Sequence, residues 1–204
     1  MCPACEPALD TRLELPPGVV IGLPADLPPD IVQLEWCAPF GGAVRRALHG
    51  LKYGGERRLA TPLGRAIARR WSRAGRGGDV LVPVPIHAER RRRRGYDQAE
   101  LLARVAGDEL RLPVAPILER ARATIAQFDL DRDARAGNVA GAFTLRGGSQ
   151  SSGGPRRDAR PLQGRWIVLV DDVVTTGATL SACARPLLEA GAVAVSAVTL
   201  ARER

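Results

Sequence analysis

The chain has almost no lysine. Lys52 is the only one, and the remaining positive charge is arginine. Lysine and arginine together number 30 against 22 acidic residues, a formal net charge of +8. Richness in alanine, glycine, proline and arginine together points to a GC-rich coding bias, so arginine count alone supports no functional claim. A lysine that escapes that bias marks its own position. Charge of this sign is compatible with anionic partners, phosphates or nucleic acid. No run of 18 apolar residues occurs, so no membrane span is expected. The amino terminus lacks the basic-then-apolar pattern of a secretory leader, which leaves a cytoplasmic protein as the expectation. Cysteine is scarce: Cys2, Cys5, Cys37 and Cys183. In a cytoplasmic chain these favour thiols or metal ligands over disulfides. Cys2-Pro3-Ala4-Cys5 is a Cys-x-x-Cys pair, half of a four-ligand zinc site, and no second pair follows. Zinc at Cys2 and Cys5 therefore needs ligands from elsewhere, in this chain or another.

What is present reads as one domain with a small appendage. Residues 1–38 hold the cysteine pair and a proline-rich linker, with Pro16-Pro17-Gly18, Pro24 and Pro28-Pro29. Ile31-Val32 is expected at most as a short edge strand. Residues 39–204 form the domain. Val44, Ala47, Leu48 and Leu51 recur at helical spacing, and Tyr53-Gly54-Gly55 closes that helix. A second helix is predicted from a Thr61 cap to Trp71. Val80 to Pro85 reads as a strand, with Pro83 at its carboxyl end because proline breaks a central ladder. Glu89 and the run Arg90 to Arg94 read as a basic turn or an electropositive lip. Asp97 and Glu100 resemble a capping box for a helix through Leu110. Residues 113–146 are irregular and polar enough for a lid, with Val139 to Phe143 as strand. Residues 147–164 are low in complexity and are expected to be a disordered loop. Leu180, Cys183, Ala184, Leu187 and Leu188 then mark a helix kinked at Pro186, and Val193 to Leu200 a buried strand.

The stretch with most chemistry is Trp166-Ile-Val-Leu-Val-Asp-Asp-Val-Val-Thr-Thr-Gly-Ala-Thr-Leu180. Four apolar residues in a row suit a strand buried on both faces of a parallel sheet. Ligands of such sheets bind beyond the carboxyl ends of the strands. The following helix begins with unpaired N–H groups and partial positive charge, which hold a phosphate. Gly177 admits close backbone approach, and the threonine hydroxyls add donors. Asp171 and Asp172 stand where the vicinal hydroxyls of a sugar, or a hydrated Mg²⁺, are held. The alternative is a strand, turn and helix whose acids only cap. This stretch resembles the phosphoribosyl-pyrophosphate (PRPP) motif of type I phosphoribosyltransferases at every position.

Other blocks narrow the resemblance to the ComF family of phosphoribosyltransferase-like proteins, associated with competence for DNA uptake. They are Ala47 to Tyr53, Pro83-Val84-Pro85 with Arg94-Gly95-Tyr96-Asp97-Gln98-Ala99, and Gln127, Arg135, Asn138 with Gly141-Ala142-Phe143. Two positions depart from the family pattern. Asp97 stands where asparagine is common, and only one of two Cys-x-x-Cys pairs is present.

The resemblance implies an α/β protein with the type I phosphoribosyltransferase fold: a twisted, mainly parallel sheet, helices on both faces and a small amino-terminal hood. It implies that Thr175, Thr176, Gly177, Ala178 and Thr179 hold the 5′-phosphate of PRPP. Asp171 and Asp172 hold the ribose hydroxyls, with Arg135 the expected catalytic cation from a closing loop. Pro85, Ile86, His87 and Arg94 meet pyrophosphate, which Mg²⁺ bridges to the ribose. Implied partners are PRPP or a nucleoside monophosphate, and single-stranded DNA or competence-machinery proteins. Three readings stay open: a phosphoribosyltransferase with an unidentified acceptor, a PRPP- or nucleotide-binding accessory protein without turnover, and a nucleic-acid-interacting factor.

Overall fold

The computed structural model describes residues 6–16, 27, 30–120, 142–146 and 162–203. Strands β1 (Gln33–Pro39), β2 (Val80–Pro83), β3 (Leu118–Arg120), β4 (Phe143–Leu145), β5 (Trp166–Val174) and β6 (Ala194–Arg202) alternate with helices. The helices are α1 (Gly42–Tyr53), α2 (Ala60–Ala74), α3 (Ala88–Arg94), α4 (Gln98–Leu110) and α5 (Ala178–Glu189). Four strands form one parallel sheet in the order β1-β6-β5-β2, and β3 and β4 make a separate antiparallel ribbon. The described residues include no helix long and apolar enough to cross a membrane.

Alternation along β5 divides the core. Val168 and Val170 pack with α1, α2 and α4 on one face. Ile167 and Leu169 pack with α5 and the ribbon on the other. All four are fully buried, each stabilising the fold by about 1.5–3 kcal/mol. Helices thus cover both faces of a parallel sheet, as the strand–helix alternation demands. The helix α2 lies close against α4, because a Cβ on Gly64 would stand 2.6 Å from Val105 Cβ.

Several local expectations change. Gln33–Pro39 is a strand paired with β6, so the sheet takes in residues assigned to the linker. The strand is hard to read because Gln33 and Glu35 are buried polar residues. Glu35 meets the buried Arg70 at 2.6 Å, and Gln33 donates to Ala74 O at 2.7 Å. Helix α2 begins at Ala60 after a 3₁₀ turn, Arg57–Leu59, and Thr61 does not cap it. Arg90 to Arg94 lie in helix α3 rather than in a turn. On α4 the buried residues are Gln98, Ala99, Leu102, Ala103, Ala106 and Gly107, while Leu101, Val105 and Leu110 are only partly covered. Other expectations hold. Proline 83 ends β2, Asp97 caps α4, Cys183 is core and Gly54 ends α1.

The amino-terminal residues 6–16 run along β1 and α2. Arg12 N–H donates to Cys37 O at 3.2 Å. Arg70 donates to Arg12 O at 2.5 Å and Leu15 O at 2.7 Å, and Arg69 meets Asp10 at 2.8 Å. Cys2, Cys5, Gln127, Arg135 and Asn138 lie outside the described residues, as does most of the 147–164 loop.

Candidate functional site

The site begins where β2 stops. Pairing of β2 with β5 ends at Pro83 opposite Val170, and Val84 N–H then donates to Val170 O at 2.9 Å. Strand β5 continues along β6 alone, with Asp171 opposite Thr199 and Val174 opposite Arg202. The acids therefore lie inside the strand rather than after it. Past Pro83 they have no β2 partner on that flank of the sheet. The chain leaving β2 forms the turn Pro85-Ile86-His87, at the same edge as the acids.

The strand also changes its pattern here. Before the acids, Val168 and Val170 belong to the α1–α2–α4 core and Ile167 and Leu169 to the other. After them the order is reversed: Val173 packs with the first core and Val174 with the second. Local irregularity accompanies the change. Asp172 N–H donates to Asp171 Oδ1 at 2.8 Å, and on β6 Thr199 Oγ1 donates to Ala201 O at 3.1 Å. Such distortions re-aim side chains at functional edges.

The two carboxylates have different surroundings. Burial, then the adjacent Asp172 charge, push the Asp171 carboxyl well above its ordinary value. The side chain of Asp172 is 7% exposed and meets Lys52 Nζ at 2.7 Å from Oδ2. Among the described residues this is the ion pair that either acid makes, and Lys52 also draws the Asp171 carboxyl down. Beyond β5, Thr175 and Thr176 are exposed, and Gly177 caps α5 with φ 81°, a left-handed conformation that favours glycine. Gly177 offers no side-chain acceptor to α5, and Thr176 Oγ1 reaches Ala178 N–H only at 3.4 Å. The first-turn N–H groups and the hydroxyls of Thr175, Thr176 and Thr179 are thus available to an anion.

The turn after β2 is held by Asp97. Ile86 N–H donates to Asp97 Oδ2 at 3.0 Å, while Asp97 Oδ1 accepts Ala99 N–H at 2.9 Å. One carboxylate thereby ties the turn to the start of α4. Burial raises the Asp97 carboxyl, and the N–H donors of Ile86, Glu100 and Ala99 oppose the rise. Pro85 is buried, and Ile86 and His87 are half-buried.

A cationic cavity of about 260 Å³ opens beside Lys52, lined by Lys52, Tyr53, Gly55, Arg90, Arg93, Arg94 and Tyr96. Among the described residues no carboxylate lines it. Arg94 bonds Gln98 and lies over the Tyr53 ring at 5.4 Å. The Tyr96 hydroxyl donates to Leu51 O, and Arg57 lies 4.6 Å over the Tyr96 ring. The structure therefore brings together Asp171, Asp172, the threonine loop, the Pro85–His87 turn and Arg94. It adds Lys52, whose one sequence signal was being the only lysine. No cluster of three or more histidine, cysteine or acidic residues suited to a metal occurs among the described residues. Burial pushes the Cys37 thiol up to about 12, which suits core packing rather than metal ligation.

A parallel sheet covered on both faces, whose inner acidic strand feeds a Thr-Thr-Gly helix start, has the architecture of the type I phosphoribosyltransferase fold. The chain is 32% identical over 209 residues to DNA utilization protein YhgH of Escherichia coli (strain K12), covering 99% of this chain and 84% of the relative. It is 34% identical over 125 residues to competence protein F of Haemophilus influenzae, covering 61% of this chain and 50% of that protein. Competence protein ComFC of Bacillus subtilis is 33% identical over 124 residues, covering 60% of this chain and 44% of that protein. The chain belongs to the ComF family. No protein-family model matches it. Among solved structures, a glutamine PRPP amidotransferase from B. subtilis complexed with ADP and GMP is similar at 19% identity and a TM-score of 0.44, covering 69% of this chain and 25% of that chain.

Proposed function

We propose that this protein binds PRPP at the edge vacated by β2 and transfers its phosphoribosyl group to an acceptor. The observation that carries the reading is that Asp171 and Asp172 lie on the part of β5 beyond the end of β2, directly before the threonine loop. The hydroxyls of Thr175, Thr176 and Thr179, with the first N–H groups of α5, hold the 5′-phosphate. Asp171 and Asp172 accept the ribose 2′- and 3′-hydroxyls, and their charge stabilises the positive charge that develops at C1′. The turn and Arg94 meet the departing pyrophosphate, with Arg135 as the cation expected from the loop outside the described residues. Two adjacent carboxylates without a third ligand suit Mg²⁺ that arrives on the substrate, because Mg²⁺ is commonly held by one or two carboxylates and phosphate oxygens. When bound, Mg²⁺ supplies charge neutralisation to the leaving group.

Calorimetry with PRPP and Mg²⁺ is expected to give heat with the wild type and none with Asp171→Asn/Asp172→Asn. Absence of heat in the wild type would sink the reading. Pyrophosphate release across a panel of bases and amines then distinguishes transfer from binding without turnover. A nucleic-acid role is favoured by one observation, the exposed arginines Arg90 to Arg93 of α3. It requires DNA affinity that weakens with salt and with neutralisation of those arginines.

A further inference from the structure

Lys52 touches two places at once. Its ammonium lies 2.7 Å from Asp172 Oδ2, and its side chain also lines the cavity formed with Arg90, Arg93 and Arg94. That oxygen is buried with the ammonium against it, so a sugar hydroxyl reaches it only as the ammonium moves aside. Two adjacent acids in a strand, one with its side chain 7% exposed, also need a counter-charge when no ligand is present. Lys52 provides that charge from the last turn of α1. Its flexible four-carbon stem lets the ammonium swing, which a rigid guanidinium fork does not do as readily. The neighbouring cavity, however, is lined by arginines and, among the described residues, by no acid. An ammonium expelled from Asp172 is repelled there unless an anion arrives with it.

We propose that Lys52 is a moving counter-cation, paired with Asp172 in the empty site and with the pyrophosphate of PRPP in the loaded one. The proposal rests on the PRPP reading above and adds a specificity role to it. Ribose 5-phosphate brings hydroxyls for the acids but no anion for the displaced ammonium. PRPP brings both. Lys52 thus makes the site favour the activated donor over the pyrophosphate-free sugar phosphate.

As the only lysine, Lys52 reports its own position. Amine acylation of the wild-type protein, followed by peptide mass spectrometry, measures how freely its ammonium is offered to solvent. Ribose 5-phosphate is expected to raise the Lys52 acylation rate several-fold over the empty protein. PRPP with Mg²⁺ is expected to lower it below the empty protein. Calorimetry run in parallel on wild type and Lys52→Met is expected to show the preference for PRPP over ribose 5-phosphate collapsing in the variant. If ribose 5-phosphate binds while Lys52 acylation does not rise, the ion pair is only structural. The proposal then falls and the PRPP reading stands. Equal loss of affinity for both ligands in Lys52→Met overturns it in the same way. If neither ligand binds the wild type, the PRPP reading itself fails, and this proposal with it.

Discussion

Two acids adjacent in the chain are unequal in their surroundings. Asp171 carries the burial penalty, whereas Asp172 holds a cation. The sign of the first effect is definite. The folded Asp171 carboxyl keeps its proton above the ordinary value of 3.8 at which the unfolded chain releases it. Over that interval the native state binds more protons, so its stability falls as pH rises from 3.8 through the raised value. Asp171→Asn removes the loss and keeps an oxygen for the Asp172 N–H. The variant is expected to be more stable than wild type at neutral pH by about 1 kcal/mol, while losing PRPP heat. Parallel melting temperatures of the two proteins across pH would contradict this. The acids and the threonine loop were legible because they are contiguous in sequence. Lys52 was noted but given no role, since its partner is distant in the chain and only folding brings them together.

At the level of elements, positions depended on what each polar group could find. Asp97 was read as a cap from its place before a helical repeat, and it is one. Its second oxygen has a further partner, Ile86 N–H, which no local pattern reveals. Asp97→Asn keeps one acceptor for the helix, but an amide nitrogen cannot accept from Ile86 N–H. The substitution is expected to cost about 1 kcal/mol and to speed amide exchange at Ile86 more than at Ala99. Equal protection at both in variant and wild type would show that the carboxylate does not restrain the turn. The strand β1 escaped notice for a related reason. Buried Gln33 and Glu35 break the apolar pattern, and their partners Arg70 and Ala74 lie on α2. The run Arg90 to Arg94 looked like a turn because five like charges discourage a helix, yet Gly95 at φ 79° ends a short helix there.

Across the whole molecule, a buried guanidinium on α2 helps join the sheet to the amino-terminal segment. Arg70 serves Glu35 on β1 and the carbonyls of Arg12 and Leu15. Arg70→Ala leaves Glu35 and those carbonyls without that donor. A loss of about 3–5 kcal/mol is expected, with faster proteolytic cutting within residues 6–16 than elsewhere. Uniform cutting at the wild-type rate would refute the link. The alternation of strands and helices announced a parallel α/β sheet, but strand order is a long-range property and was not readable.

That order has a consequence for how the protein is made. β6, the last described strand to leave the ribosome, lies between β1 and β5. Until residues 194–202 emerge, β1 has no partner in the sheet, and the acidic strand lacks a neighbour on one side. Such non-local closure is slow, and the nascent chain meanwhile exposes open strand edges. A sugar phosphate can therefore find a formed site only after residues 194–202 have been made.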